Sequence, residues 1–183
     1  TTTDQFAGVS ADELEDSRPY CELIRQWSTF HPEFNWLPRK FKIAVSGCEH
    51  DRAAVQVHDI GINLVRNSQQ EVGFQILVGG GLGRTPVIGS VIREFLPKQH
   101  LLTYLESILR VYNRLGRRDN KFKARIKILV RAMTPKVFAE KVEEDWAALK
   151  DGAVTITDAE FARVQACFTA PAYQELSDEC DQL

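Results

Sequence analysis

The chain has 183 residues, 44% hydrophobic, with a formal net charge of −2. That size suits one core-forming domain with extensions, or one domain of a longer chain. No stretch reaches membrane-spanning length, and the opening TTTDQFAGVS lacks the basic and apolar regions of a signal peptide. The near-neutral total hides a segregation of charge. Residues 1–36 hold two basic and seven acidic side chains, residues 37–133 seventeen and seven, and residues 134–183 four and eleven. A cationic middle attracts phosphate, carboxylate or sulfur oxyanions; the competing reading is that the acidic flanks fold back and neutralise it.

Cys21, Cys48, Cys167 and Cys180 form no CxxC pair and no zinc or iron–sulfur spacing. With no export signal they read as free thiols in a reducing, cytoplasmic setting. Cys48-Glu49-His50 with His58 lacks the matching second pair of a metal site, so no metal ligand is assigned. The only methionine is Met133, and a chain opening at Thr1 reads as a fragment or a processed product.

In chain order, Ser10-Ala-Asp-Glu13 has the form of a capping box. A helix after Pro19 puts Tyr20, Leu23, Ile24 and Trp27 on one stripe and ends before Pro32. This acidic opening is expected to be an entry arm, 1–36, ahead of an α+β domain over 37–150. Residues 40–46 alternate as a strand, Phe41, Ile43 and Val45 against Lys40, Lys42 and Ala44, with three cations (Arg39, Lys40, Lys42) where it begins. Further alternation appears at Val55 and Val57, at Ile60, Ile62 and Leu64, and at Val72, Phe74, Ile76 and Val78. Asn67-Ser68-Gln69-Gln70 predicts a hairpin between the last two.

Gly79-Gly80-Gly81-Leu82-Gly83-Arg84 follows the fourth strand. It is neither GxGxxG nor a Walker loop. It is either a tight turn or a place where backbone approaches a ligand, and Arg84 favours an anionic or planar one. Thr85-Pro86 can start a helix, while the following residues are ambiguous. Leu101, Leu105, Ile108, Tyr112 and Leu115 define an amphipathic helix ending at Gly116. Phe122, Ile126, Leu129 and Met133 predict a second helix, and Thr134-Pro135 starts a third with Phe138, Val142, Trp146 and Leu149. Thr157-Asp-Ala-Glu160 caps a fourth carrying Phe161, Val164 and Phe168. Residues 151–183 are that helix and an acidic tail.

Arg114 to Arg131 contains eight basic residues and one acid, Asp119. It reads as a solvated face, as a nucleic-acid patch, or as a site for a small oxyanion or a polycarboxylate cofactor. The second lacks interleaved aromatics and any nucleic-acid signature, so no nucleic-acid partner is expected. For the third, Arg125 and Lys127 are the centre, although two residues apart on a helix they face different ways. They converge only if long side chains reach round or the helix starts near them.

WLPRKFKIAVSG, VHDIGINLV, VGFQILVGGGLGRTP and RRDNKFKARIK in this order resemble the siroheme- and [4Fe-4S]-containing nitrite and sulfite reductases, in the first of their two siroheme-binding halves. The details are most similar to the bacterial assimilatory sulfite reductase hemoprotein type. The resemblance implies an α+β domain, a mixed sheet of about five strands with helices packed on it. It implies multi-electron reduction of sulfite to sulfide or nitrite to ammonia, with siroheme and [4Fe-4S] as cofactors of the full-length enzyme. Arg39, Arg125 and Lys127 then match cations that hold the oxyanion. Lys40, Lys42, Asn63, Gly79, Gly80, Gly81 and Arg84 fall on the cofactor side.

The cysteine patterns that ligate the cluster in this family, C-x5-C and C-x3-C, have no match here. The resemblance therefore implies a piece inactive alone, with neither cofactor bound to it in isolation. Its partners would be the remaining parts of the reductase, a flavoprotein or ferredoxin electron donor, and sulfite or nitrite. The alternative is a stand-alone anion- or tetrapyrrole-binding module of the same fold without redox activity.

Overall fold

The computed structural model describes residues 1–172; most of the acidic tail and Cys180 lie outside them. Among these residues five strands form one mixed sheet in the order β1-β2-β3-β4-β5. They are β1 (Thr2–Thr3), β2 (Ile43–Ser46), β3 (Ile60–Arg66), β4 (Val72–Val78) and β5 (Ser90–Pro97). The first three run parallel, and β4 and β5 are antiparallel to their neighbours. The helices are α1 (Arg18–Ser28), α2 (Pro32–Asn35), α3 (Leu101–Leu115), α4 (Ile126–Met133), α5 (Pro135–Trp146) and α6 (Asp158–Gln165). The family of α+β domains expected from the sequence is the architecture found. No helix among the described residues is long and apolar enough to cross a membrane.

Alternation decides which face is core. Ile60, Ile62 and Leu64 of β3 and Phe74, Ile76 and Val78 of β4 enter one buried cluster with α1, α3, α4 and α5. Tyr20 meets Phe74 edge-on at 4.9 Å and stacks on Phe161 of α6 at 5.1 Å. The opening segment, expected to be an entry arm, thus supplies the edge strand β1 and a core helix. Thr157 caps α6 as its sequence predicts, accepting from the Glu160 N–H at 3.2 Å. The predicted hairpin at 67–70 is present, closed by the Asn67 N–H to the Glu71 carbonyl at 3.0 Å.

Four local expectations are corrected. Residues 40–42 are not strand: β2 begins at Ile43, because the Lys42 N–H is taken by the Asp59 carboxylate at 3.0 Å instead of a ladder partner. Val55–Val57 is a 3-10 turn entered through Ala54 in the left-handed region, and its Val55 carbonyl covers Gly61 of β3. Ser10–Glu13 caps no helix: Glu13 accepts from the Gly8 N–H at 2.8 Å and bridges to Cys48. Phe122 precedes α4, since Asn120 folds the chain into a turn by accepting from the Phe122 N–H at 2.9 Å.

The ambiguous stretch after Pro86 becomes β5, whose register against β4 shifts around Ile76. Arg93 of β5 pairs with Ile76 and reaches Glu143 of α5 at 2.8 Å, with its guanidinium 5.0 Å from the Trp146 ring. Tyr104 donates to the other oxygen of Glu143 at 2.8 Å.

Phe74→Ala should lower unfolding free energy by about 3–5 kcal/mol in chemical denaturation, because it empties the centre of this cluster. Phe30→Ala, at a side chain 90% exposed, should change it by no more than about 0.5 kcal/mol.

Candidate functional site

Three sequence-distant segments meet at the end of the sheet where β3 begins and β4 ends. They are the LPRKFK turn, the glycine run, and the start of α4. A cleft of about 640 Å³ lies there, lined by Arg39, Leu82, Gly83, Arg84, Thr85, Phe122, Lys123, Arg125, Lys127 and Ile128. Five of these ten are cations and none is an acid. A smaller cavity of about 210 Å³ adjoins it through Leu82 and Arg125, with Lys40, Lys42, Val57, His58 and Asp59 as its other walls.

Three of these cations are held by contacts of their own. Arg39 donates to the Lys121 carbonyl at 3.0 Å and lies 5.9 Å over the ring of Phe122, an aromatic 74% exposed. Phe41, two residues on, stacks on Tyr112 at 5.8 Å. Arg125 is the N-cap of α4 and has extended backbone angles. It therefore stands outside the helical progression and can converge with Lys127, the second of the two routes the spacing allowed. Arg125 donates through Nε at 3.0 Å and Nη2 at 2.6 Å to Oδ1 of Asp59. The Tyr112 hydroxyl steadies this start of α4 by donating to the Ala124 carbonyl at 2.7 Å. Burial, then the Asp59 charge, pushes that phenol up to about 12.

Lys127 is 7% exposed and donates to the carbonyls of Thr85 at 2.7 Å and Leu82 at 3.4 Å. Desolvation first, then the neighbouring Arg125, lowers its pKa below the usual lysine value, against the pull of Asp59. It thus serves as a clamp on the loop after β4.

The glycines make room. A Cβ on Gly81 would stand 3.1 Å from Lys127 Cδ and 3.2 Å from Arg125 Nη2. A Cβ on Gly80 would fall 2.4 Å from the Gln56 carbonyl and 2.6 Å from that of His58. Gly79 has φ +86° and packs on Val130. Gly81 and Val87 exchange two backbone hydrogen bonds at 2.9 Å, closing the intervening loop that carries Arg84. Thr85-Pro86 therefore starts no helix.

Asn63 is not brought to the cleft. It lies across β3 from Gln75 and donates to that side chain at 3.3 Å, and Gln75 in turn donates to Glu94. The acidic flanks do fold back, but elsewhere. Arg52 pairs with Asp4 and Asp12, Arg93 with Glu143, Lys98 with Glu15, and Arg110 and Arg114 with Asp145. Among the described residues no acid pairs with Arg39, Arg84, Lys123 or Lys127. Asp59 escaped the sequence reading because a lone acid before an apolar strand carries no pattern. Lys123 was passed over within the basic run.

Residues 1–150 match the nitrite and sulphite reductase 4Fe-4S domain. The chain belongs to that family. A sulfite reductase [ferredoxin] 1 of Mycolicibacterium paratuberculosis is 31% identical over 141 residues, 77% of this chain and 25% of that protein. A chloroplastic ferredoxin–nitrite reductase of Arabidopsis thaliana is 28% identical over 144 residues, 76% of this chain and 24% of that one. The solved structure of the Mycobacterium tuberculosis NirA protein superposes with a TM-score of 0.72 at 28% identity, covering 83% of this chain and 28% of that one. This nitrite and sulphite reductase domain thus spans about a quarter of the length of the relatives it matches.

Two outcomes follow from the geometry. Gly80→Ala should cost about 1–3 kcal/mol of stability in urea unfolding, because the added methyl meets backbone that cannot turn aside. For Lys127 the folded state holds its proton less tightly than the unfolded state. Between its lowered value and the ordinary one, about 10.4, the unfolded chain binds more protons, so this lysine's contribution to stability rises with pH. Lys127→Met should remove that rise from the difference between the two proteins' stability–pH curves.

Proposed function

We propose that this domain supplies the oxyanion-binding wall and part of the siroheme seat of a sulfite or nitrite reductase. One observation carries the reading: five cations line a single cleft without a lining acid, two of them packed closely against Gly81, while Gly83 has nothing within 4 Å of where its Cβ would stand. Such an arrangement suits an anion of high charge density. It also suits the carboxylates of a tetrapyrrole, whose flat face needs backbone without side chains. Relatives named as sulfite and as nitrite reductases match about equally well, so the proposal covers both substrates.

The residues present fit a polycarboxylate macrocycle. Leu82, Phe122 and Ile128 offer apolar contact, and Lys40, Lys42 and Arg84 offer charge at the edges. Siroheme and the [4Fe-4S] cluster, when bound, would relay the donor's electrons to the substrate. The described cysteines are scattered, Cys48 being buried and Cys21 and Cys167 distant in the chain. In this proposal the cluster ligands come from another part of the reductase, and the domain is not catalytic by itself. A ferredoxin is the proposed electron donor, since that is the donor named for two of these relatives.

The chain's own part is electrostatic and positional. Arg39, fixed by a carbonyl and an aromatic face, presents a fork to two oxygens of the substrate. Arg125 presents those donors that Asp59 leaves unused. Lys127 adds a charge at Nζ and, with its lowered proton affinity, is the proposed proton donor to a substrate oxygen. Preorganised cations of this kind stabilise charge as it develops without reorienting at the moment of reaction.

The test is steady-state sulfite and nitrite reduction by the assembled reductase containing this domain, at equal siroheme occupancy. Arg39→Ala and Lys127→Ala should each lower turnover ~100-fold or more. Lys136→Ala, on the exposed side of α5, should leave it unchanged. Equal turnover in all three would overturn the assignment. Anion and tetrapyrrole binding without any reduction by the assembled protein would instead favour a binding module lacking redox chemistry.

A further inference from the structure

We infer that Asp59 is the positioning residue of the cationic cleft, holding Arg125 in the one orientation that leaves its free donors toward the anion. The inference rests on the oxyanion-wall reading and deepens it. Asp59 sits immediately before β3 and is 1% exposed. Its Oδ1 accepts both Nε and Nη2 of Arg125, 66 residues away, and its Oδ2 accepts the Lys42 N–H, 17 residues away. Its main-chain carbonyl accepts the Gly79 N–H at 3.0 Å. One residue therefore ties together the LPRKFK turn, the glycine run and the start of α4.

A carboxylate buried this deeply is costly unless it is paired and hydrogen-bonded. Arg125 is therefore not free to swing. A guanidinium has five N–H donors; Asp59 takes two, and the side chain, a quarter exposed, keeps the rest where it lines the cleft. The pair carries no net charge, so Arg125 serves through aimed donors more than through its cation. Two roles for Asp59 then predict opposite signs. If it were merely a nearby negative charge, removing it would tighten anion binding. If it aims Arg125, removing it loosens anion binding.

The experiment uses the full 183-residue chain, wild type and Asp59→Asn, at matched ionic strength. Asparagine keeps the shape but only one acceptor oxygen and no charge, so it can serve Arg125 or the Lys42 amide but not both. Two readouts are taken: solvent exchange of the Arg125 Nε–H by NMR, and titration with inorganic sulfite. The wild-type Nε–H should exchange slowly, unlike that of exposed Arg114. In Asp59→Asn, where the charge-assisted pairing is gone, it should exchange faster, and sulfite affinity should fall about ten-fold or more. Unchanged or tighter sulfite binding by a folded Asp59→Asn chain overturns the inference. So does a fast-exchanging Arg125 in the wild type, a result that stands even if the variant does not fold. A slow Arg125 in a wild-type chain that binds no sulfite overturns the anion-wall reading itself and reduces Asp59 to a strut of the fold.

Discussion

A buried carboxylate must find its counter-charge, and in this domain that requirement brings distant parts of the chain to one place. Asp59 stands where the sheet passes from parallel to antiparallel pairing. Its hydrogen bonds end the LPRKFK turn, fix the N-cap of α4 and receive the amide that follows β4. That pairing acts together with Lys127, which ties the loop after β4 to the start of α4 through the Thr85 and Leu82 carbonyls. The hydrophobic cluster holds the sheet to its helices; the carboxylate decides what the end of the sheet looks like.

Much of the architecture was legible because it follows period. The alternation of Val72, Phe74, Ile76 and Val78, and the three-four stepping of Leu101 to Leu115, needed only one buried face each. Failures fell where a polar group overrides period. Residues 40–42 alternate as a strand should, yet a side-chain carboxylate captures the amide that would have entered the ladder. Phe122 sits in step with Ile126, yet Asn120 turns the chain first. Val55 and Val57 alternate in sequence but curl over a glycine of β3. Each competitor lies too far away in sequence, or is too small, to leave a pattern.

The candidate site was legible in part for a similar reason. Charge segregation and the R-x-K spacing pointed to the start of α4, and the structure draws Arg39, Arg84, Arg125 and Lys127 to one cleft. Composition could not say which cations the acidic flanks would neutralise. Folding divides them: the acids of the two ends meet Arg52, Arg93, Lys98, Arg110 and Arg114. The cations around the cleft are left to backbone carbonyls, an aromatic face and one internal acid. Asn63 shares a strand with residues near the site, but the two-residue period turns it toward Gln75.

The irregular register of β5 has a bearing on how the domain behaves in a crowded solution. An edge strand offers unpaired backbone groups that can recruit a neighbour's strand. Here that edge is bent by the register shifts around Ile76, ends in Pro97, and turns Arg93 inward to Glu143 and Trp146. A second chain pairing along it would have to flatten the bend and contend with an amide that proline lacks. The rim is thereby a poor template for cross-chain β-pairing.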